Sequence, residues 1–407
     1  IIMANRNGGF IGTDGLDAPD PPTAVTPTAG DTQVSVAFTA PTDTGTSAIT
    51  GFVAQVSTDG TNYSAGSNTG SSSPIVVSSL TNGTAATAKV WAINAYGTSA
   101  PSDASASFTP AALARAFNSG GFDADARSNV IDYVDFNSLG NLTDFGDLTE
   151  NVTQLASCSS STRMVVSGGQ KAGNNRGLYD IVYVTAGSTG NASNFGNLTE
   201  RKLSHGGGGS NTRGIFVGGS STSGAYLNII DYITIANTGD ATDFGDTAAR
   251  SEQGGVCAST TRLVHGGGKN TSGTIIDVIE YITIANTGDS TDFGNLESAR
   301  RYVSSCSNAT RGLFAGGTSG SGTIDTIQYI TIANTGNTTD FGDLTAAKNA
   351  MSGAASSTVG LFMGASGPSD LCNNVTIGTT GDASDFGNLS VSRGYGAGAS
   401  TAHGGIA

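Results

Sequence analysis

Acidic and amide side chains recur at every third residue in a phrase that the chain repeats. The spacing is carried by Asp240, Asp243, Asp246; Asp289, Asp292, Asn295; Asn337, Asp340, Asp343; and Asp382, Asp385, Asn388. Several carboxylates in one turn could bind Ca²⁺ through oxygen ligands. Asx side chains also cap turns, however, and an arginine keeps the same period at Arg115, Arg163, Arg213, Arg262 and Arg311. We therefore expect Arg–Asp pairing or turn capping, and no metal or cofactor.

No set of side chains for catalysis is visible in the sequence. Asp-Phe-Gly binds magnesium in protein kinases, but here the triplet repeats without a phosphate loop or a catalytic loop. His205, His265 and His403 lie in Gly-rich stretches without acidic partners at metal spacing, so neither a zinc site nor a Ser-His-Asp set is predicted. We expect no catalytic residues and a protein that is not an enzyme.

The four cysteines are predicted to be free, buried thiols. Cys158, Cys257 and Cys306 each lie five residues before a repeat arginine, whereas Cys372 does not follow this spacing. Equivalent positions in different repeats point into separate interfaces, which keeps their Cβ atoms too far apart for a disulfide bond.

The elements that position these residues are short strands. Alternating β-branched runs such as 229–235 and 278–284 are bounded by Gly, Ser, Asn and Asp, which predicts an all-β protein. An internal repeat extends over 111–407. Its marker is the Phe of [DN]-F-G-[DN], found at Phe145, Phe195, Phe244, Phe293, Phe341 and Phe386.

Each repeat contains four predicted strands, a to d, and a Gly-Gly pair ends strand b in most copies. This pattern resembles the kelch repeat of β-propellers, with Phe where kelch carries Trp. The first copy lacks strand a, and residues 394–401 supply a surplus one. The resemblance therefore implies a six-bladed propeller over 111–407, closed by the C-terminal strand 394–401.

Residues 18–110 resemble a fibronectin type III domain. The resemblance rests on Pro22, Phe38, the Leu80–Thr84 stretch, the Ala92-Ile93-Asn94 stretch and the closing Ser107–Pro110. It implies a β-sandwich, although the corner tyrosine of that family falls at Ala86 here. Residues 1–17 contain four Gly and little apolar material. We expect them to be an attachment segment that orders against a partner, with Phe10 and Ile11 as anchors.

Comparison of the copies predicts a uniform face and a variable face. The c–d turns are nearly identical, whereas the b–c and d–a loops differ from copy to copy. Because function on rigid β scaffolds concentrates in variable loops, we expect ligand binding on the variable face. Its candidate contacts are Tyr226, Arg201, Lys202, Arg300 and Arg301, which offer aromatic area and planar or charged donors.

Composition excludes several function classes. The net charge of −14 disfavours nucleic-acid binding, and no apolar run approaches the length of a membrane-spanning helix. No basic segment followed by an apolar stretch opens the sequence, so no Sec-type signal peptide is visible.

The repeat phrase YITIANTGDATDFGDT and the opening NRNGGFIG are similar to propeller-bearing structural proteins of marine tailed phages. The resemblance implies a non-enzymatic virion protein: a tail fibre, a tail appendage or a capsid decoration. Its expected partners are other virion proteins and a host cell-surface glycan or protein, with no nucleic acid and no membrane insertion. The sequence is also compatible with a homo-oligomer. A bacterial extracellular adhesin or filament protein is the alternative, and a carbohydrate-active enzyme on a propeller is the third.

Overall fold

The computed structural model describes residues 17–111, 113–123, 126–136, 138, 140–172, 177–249 and 252–406. Within these ranges the protein is all-β, as predicted, and its sheets are antiparallel. Contacts divide the chain into two compact units, with the boundary between Leu113 and Ala114. The anchors proposed for the N-terminal segment, Phe10 and Ile11, lie outside the described residues.

The described part of the first unit has seven strands in two sheets. They are β1 (Thr23–Gly30), β2 (Gln33–Thr39), β3 (Ile49–Ser57), β4 (Gly66–Gly70), β5 (Ile75–Val77), β6 (Thr87–Asn94) and β7 (Gly97–Thr98). The sheet orders are β1-β2-β5 and β4-β3-β6-β7. Alternate residues of β2, β3 and β6 are buried, so each of these strands gives one face to a shared core that contains Phe38 and Phe52.

The second unit contains the remaining strands. Its first half comprises β8 (Arg115–Ser119), β9 (Ser128–Asp135), β10 (Thr143–Thr153), β11 (Ala156–Ser159), β12 (Arg163–Ser167), β13 (Gln170–Lys171), β14 (Leu178–Thr185), β15 (Ser193–Lys202), β16 (Gly206–Gly209), β17 (Arg213–Val217), β18 (Ile229–Thr234), β19 (Thr242–Asp246), β20 (Gly255–Ala258) and β21 (Arg262–Gly266). Its second half comprises β22 (Val278–Thr283), β23 (Thr291–Asn295), β24 (Ser304–Ser307), β25 (Arg311–Ala315), β26 (Thr318–Ser319), β27 (Gly322–Thr323), β28 (Thr326–Thr331), β29 (Thr339–Asp343), β30 (Ser352–Ala355), β31 (Val359–Ala365), β32 (Ser369–Thr376), β33 (Ser384–Asn388) and β34 (Ala397–Ser400).

These strands form six repeat sheets, numbered I to VI. Sheet I has the order β34-β8-β9-β10-β13. Sheets II to VI have the orders β11-β12-β14-β15, β16-β17-β18-β19, β20-β21-β22-β23, β24-β25-β28-β29 and β30-β31-β32-β33. Strands β26 and β27 form a separate hairpin. The first strand of sheet I is thus the last strand of the chain, with Ala397 paired to Ser119 and Ser400 to Ala116.

The first strands of the six sheets contact one another in a cycle. β11 contacts β16, β16 contacts β20, β20 contacts β24, β24 contacts β30, β30 contacts β34, and β34 contacts β11 again. Every sheet therefore has a neighbour on both sides. Apolar side chains from adjacent sheets fill the spaces between them: one cluster joins Phe195 of sheet II with Ile233 of sheet III, and another joins Phe341 of sheet V with Phe362 of sheet VI.

An Arg-Tyr-Phe ladder recurs in sheets I to V. The guanidinium of the repeat arginine lies 4.3–4.8 Å from the ring centre of a tyrosine on the third strand. That tyrosine meets the Phe of the DFG-like triplet edge to face. Sheet VI has Val359 and Asn374 at the two positions, so arginine and tyrosine are lost together.

The expected Arg–Asp pairing is wrong for these arginines. Arg213 Nη1 donates to the carbonyls of Ile284 and Ala285, which belong to the c–d turn of the next sheet. Arg163, Arg262 and Arg311 make the same contact with the sheet that follows theirs. Strand ends leave carbonyl groups without ladder partners, and a planar guanidinium satisfies two of them at once while its face stacks on a ring.

The periodic Asx residues cap the neighbouring sheet instead. Asp240 Oδ1 accepts the backbone N–H of Asn197, 2.9 Å away, across the junction between sheets II and III. The equivalent bond occurs at all six junctions, at 2.9–3.1 Å, with Asn191, Asp240, Asp289, Asn337, Asp382 and Asn141 as acceptors. We call this contact, with the glycine beside it, the junction clasp. The three-residue spacing therefore reflects turn capping between sheets.

The glycine of the DFG-like triplet permits the junction clasp. Gly294 has φ +150°, and a Cβ placed there would lie 2.3 Å from the carbonyl oxygen of Gly336 in the next sheet. Gly288, in the c–d turn of its own sheet, has φ +153° and no atom within 4 Å of a built Cβ. Both glycines have nearly the same positive φ, but an atom of the next sheet lies close only to Gly294.

This difference gives a matched test of the clasp. We expect Gly294→Ala to lower the free energy of unfolding by about 1–3 kcal/mol more than Gly288→Ala, because overpacking is added to a shared conformational cost. Urea denaturation of both variants measures the difference. Equal losses would mean that close approach between sheets does not constrain the triplet.

Candidate functional site

A cavity of about 150 Å³ lies among the first strands of the six sheets. Its walls include the backbone and small side chains of Ser157, Ser305 and the four glycines of β16, together with larger side chains such as Leu155 and Met351. The C-terminal residues lie across one end: Gly404 N–H donates to the Ser307 carbonyl, and the Gly405 carbonyl accepts from Asn211 N–H. Asn211 belongs to an a–b turn, so this end is on the uniform face.

Six d–a loop residues surround the other end, and we call them the mouth ring. They are Gln154, Ser204, Gln253, Tyr302, Ala350 and Tyr395. All six have φ between +53° and +65°, the left-handed region that residues other than glycine rarely occupy. Backbone strain of this kind is held only where the surroundings fix it, and it concentrates at functional sites.

Backbone hydrogen bonds join the mouth ring into a circuit. Ser204 N–H donates to the Gln154 carbonyl, Gln253 N–H to Ser204, Ala350 N–H to Tyr302, Tyr395 N–H to Ala350, and Gln154 N–H to Tyr395. The remaining link runs from Val303 N–H to the Gln253 carbonyl at 3.4 Å. One backbone geometry is therefore repeated six times while the side chains at those positions differ.

The side chains on one side of the mouth ring form what we call the tyrosine patch: Tyr226, Glu252, Arg301, Tyr302 and Tyr395. The rings of Tyr302 and Tyr395 meet at 83°, with centres 5.4 Å apart. Arg301 Cζ lies 5.0 Å from the centre of the Tyr302 ring. Tyr395 Oη donates to Ser366 Oγ in a b–c loop. The four aromatic and basic side chains are partly exposed, and Glu252 is 9% exposed.

Burial and nearby charged groups shift the pKa values of two tyrosines in the patch. Burial raises the pKa of Tyr302, and the nearby Tyr395 and Glu252 raise it further, while Arg301 lowers it. Partial burial also raises the pKa of Tyr226, with the same opposing effects from Glu252 and Arg301. The phenol groups of Tyr302 and Tyr226 therefore stay protonated at neutral pH, where each can both donate and accept a hydrogen bond.

Several buried polar atoms near the mouth have no protein partner among the described residues. They are Ser204 Oγ, His205 Nδ1, Ser304 Oγ, Arg301 Nε and Asn349 Oδ1. His205 and Ser304 also line the cavity. A buried polar group without a partner carries a desolvation cost.

Two candidate contacts from the sequence are buried, and the expectation that they reach a ligand is wrong. Lys202 is fully buried and pairs with Asp231 of the next sheet at 2.9 Å. Burial lowers the pKa of Lys202, and Asp231 opposes that shift. Arg300 is 1% exposed, and its Nη1 lies 3.3–3.4 Å from the carbonyls of Gly316 and Thr326. Both cations hold adjacent sheets together.

The other candidates divide between two places. Tyr226 and Arg301 meet in the tyrosine patch, whereas Arg201 stacks on the exposed ring of Tyr179, 4.6 Å away. Part of the b–c loop 170–177 lies outside the described residues. Sequence reasoning missed Glu252, Tyr302 and Tyr395. The sequence does carry a signal for the two tyrosines, because every mouth-ring residue lies nine positions after the Phe of a DFG-like triplet.

The cysteines, His205 and His265 are buried, and His205 and His403 also line the cavity. Cys158, Cys257, Cys306 and Cys372 are free and buried, as expected, and belong to four different core clusters. Burial lowers the pKa of His205 to about 3 and that of His265 to about 4, so both are neutral at physiological pH.

No protein-family model matches the chain, and no curated protein matches it. Among the described residues, no group of three or more His, Cys, Asp or Glu side chains could hold a metal ion. That part of the chain also contains no helix long and apolar enough to cross a membrane.

An apolar pair occupies the positions equivalent to the Lys202–Asp231 ion pair at another junction of the same chain. The equivalent residues one junction earlier are Val152 and Val182, which share a core cluster. Removal of one buried charge leaves the other unpaired, so we expect Asp231→Val to lower the free energy of unfolding by about 3–5 kcal/mol. Adding Lys202→Val should recover most of that loss. Chemical denaturation tests this, and a double variant as unstable as the single one would contradict it.

Proposed function

We propose that this chain is a non-enzymatic recognition protein with a fibronectin type III-like domain followed by a six-bladed, kelch-like β-propeller. Seven strands divided three and four around one core support the first assignment. Six repeat sheets whose first strands contact in a cycle support the second. In this proposal each repeat sheet is a blade, and the cavity lies on the propeller axis.

The mouth ring is the observation that carries the recognition role. A repeat that only stabilised a fold could use the same residue at each equivalent position, as the junction clasp does with Asx. The mouth ring instead keeps a strained backbone and presents Gln, Ser, Gln, Tyr, Ala and Tyr. Its two tyrosines lie beside Tyr226, Glu252 and Arg301 on the variable face. This arrangement suits a partner without six-fold symmetry.

We further propose that the chain is a structural protein of a tailed phage virion, located on the particle surface as a tail fibre, tail appendage or capsid decoration. The repeat phrase and the opening NRNGGFIG support this role through their similarity to marine phage proteins. The propeller would meet a host cell-surface glycan or protein, and residues 1–17 would attach to other virion proteins. A bacterial adhesin or filament protein is the second candidate, because it would use the same variable face.

A carbohydrate-active enzyme is the weaker alternative. Hydrolysis of a glycosidic bond ordinarily uses two carboxyl groups a few ångströms apart, and the tyrosine patch contains one, Glu252. The buried histidines have lowered pKa values and lie in the interior. We expect the purified protein to release no reducing ends from polysaccharides.

Cell binding tests the recognition role. Fluorescently labelled protein is mixed with a panel of intact marine bacterial isolates, and bound protein is measured by flow cytometry. We expect Tyr302→Asn with Tyr395→Asn to weaken binding by roughly tenfold or more, because two aromatic contacts are lost. Asparagine tolerates the left-handed backbone of both positions, which protects the fold.

Asn237→Ala with Asn286→Ala is the matched control on the uniform face, where both side chains are exposed. If the control variant loses binding and the tyrosine variant keeps it, the uniform face is the working one. No binding to any isolate counts against the recognition role. Immunogold labelling with antibodies to the chain separates the two candidates, since phage particles are labelled in one case and cell surfaces in the other.

A further inference from the structure

The tyrosine patch combines aromatic faces with hydrogen-bonding groups of both kinds. Tyr302 and Tyr395 are set edge to face, so the two rings present surfaces in different directions. The Tyr395 hydroxyl donates to Ser366, and the Glu252 carboxylate accepts from Gln253 Nε2. The Arg301 guanidinium stacks on Tyr302, and each of these groups keeps capacity for further hydrogen bonds. A sugar ring has the complementary structure, because its C–H faces pack on aromatic rings while its edge carries hydroxyl groups that donate and accept.

The charges of the patch favour a neutral ligand. It contains one carboxylate and one guanidinium, and Arg301 is already stacked on Tyr302. An acidic sugar bound against Tyr302 would bring its carboxylate close to Glu252, and like charges at a few ångströms repel strongly where solvent is scarce. A neutral sugar can donate hydroxyl hydrogens to Glu252 and accept bonds from Arg301.

The surroundings of the patch disfavour a protein partner. Stable protein interfaces cover about 800 Å² on each side and have a well-packed core rich in aromatic and apolar residues. The large hydrophobic residues that are exposed in the described chain are Val76, Tyr96, Tyr179 and Val391, and none belongs to the patch. The patch offers a guanidinium and a phenol hydroxyl beside its rings instead. Such groups bond to the hydroxyls of a sugar.

We infer that the tyrosine patch and the mouth beside it bind a neutral glycan, with a pyranose ring packed on Tyr302 and Tyr395. Glu252 and Arg301 orient the sugar through its hydroxyl groups. This inference rests on the proposed recognition role and narrows its partner to one chemical class.

An oligosaccharide array tests the class of ligand. The probes are neutral hexose, N-acetylhexosamine and deoxyhexose oligosaccharides together with uronic, sialylated and sulfated ones. We expect the full-length protein to bind neutral members, and Tyr302→Asn with Tyr395→Asn to bind them roughly tenfold more weakly. Glu252→Gln should raise the signal from acidic members relative to neutral ones, because it removes the repelling charge. Asn237→Ala should match the unmodified protein. Binding restricted to acidic glycans would overturn the inference.

The cells used to test recognition separate this inference from the proposed function. Periodate oxidises the vicinal diols of glycans, and proteinase K removes surface proteins. Loss of cell binding after periodate treatment but not after proteinase K supports the glycan. If cell binding is lost only after proteinase K treatment and the tyrosine variant does not bind, the ligand is a surface protein. The glycan inference then fails, and the proposed recognition site stands. If the tyrosine variant, with an unchanged melting temperature, still binds cells, both proposals fail.

Discussion

The antiparallel pairing of β34 with β8 is the constraint on which the second unit depends. It joins residues 278 positions apart and gives sheet I its first strand. Without β34, the strand β8 would have an unpaired edge, and β30 and β11 would lose their common neighbour. Unpaired strand edges favour association with other chains. The pairing therefore completes a cycle in which each sheet is covered on both sides.

The junctions between sheets divide into constant and variable contacts. The junction clasp and the Arg-Tyr-Phe ladder are nearly constant, and they lie at the c–d turns. The contact at the other end of each junction changes: it is an ion pair at Lys202–Asp231 and at Arg393–Asp132, and an apolar pair at Val152 and Val182. Neighbouring sheets thus keep a common spacing while their complementary pairs differ. Breaking one of these buried pairs would leave an uncompensated charge between two sheets.

Constant contacts between the sheets allow the side chains of the mouth ring to vary. The circuit of hydrogen bonds through the mouth ring holds six backbones in one strained conformation, so the side chains there change without altering the sheets. The tyrosine patch uses this freedom at Tyr302 and Tyr395, which replace the Gln, Ser and Ala of other copies. The proposed glycan site is therefore a local departure from the repeat, built on contacts that the repeat conserves.

Much of the fold could be predicted from the sequence, and less of the site. Short alternating runs such as 278–284 indicated strands because one face of each is buried, and the all-β class is confirmed. The wrong predictions concern charge. Sequence shows that Lys202 and Arg300 are cationic, but it does not show that Asp231 and the carbonyls of Gly316 and Thr326 lie opposite them in a neighbouring sheet. Tyr302 and Tyr395 were missed because the left-handed backbone that presents them has no glycine to mark it.

Hydrogen exchange in a truncated chain tests the central claim, that β34 completes a cycle of six sheets. Amide exchange is measured by mass spectrometry for the full chain and for a chain that ends at Gly396. We expect faster exchange in β8 of sheet I and in β30 of sheet VI, with much less change in β20 and β21 on the far side of the cycle. Unchanged exchange in β8 and β30, together with an unchanged melting temperature, would contradict the role of β34 in the cycle.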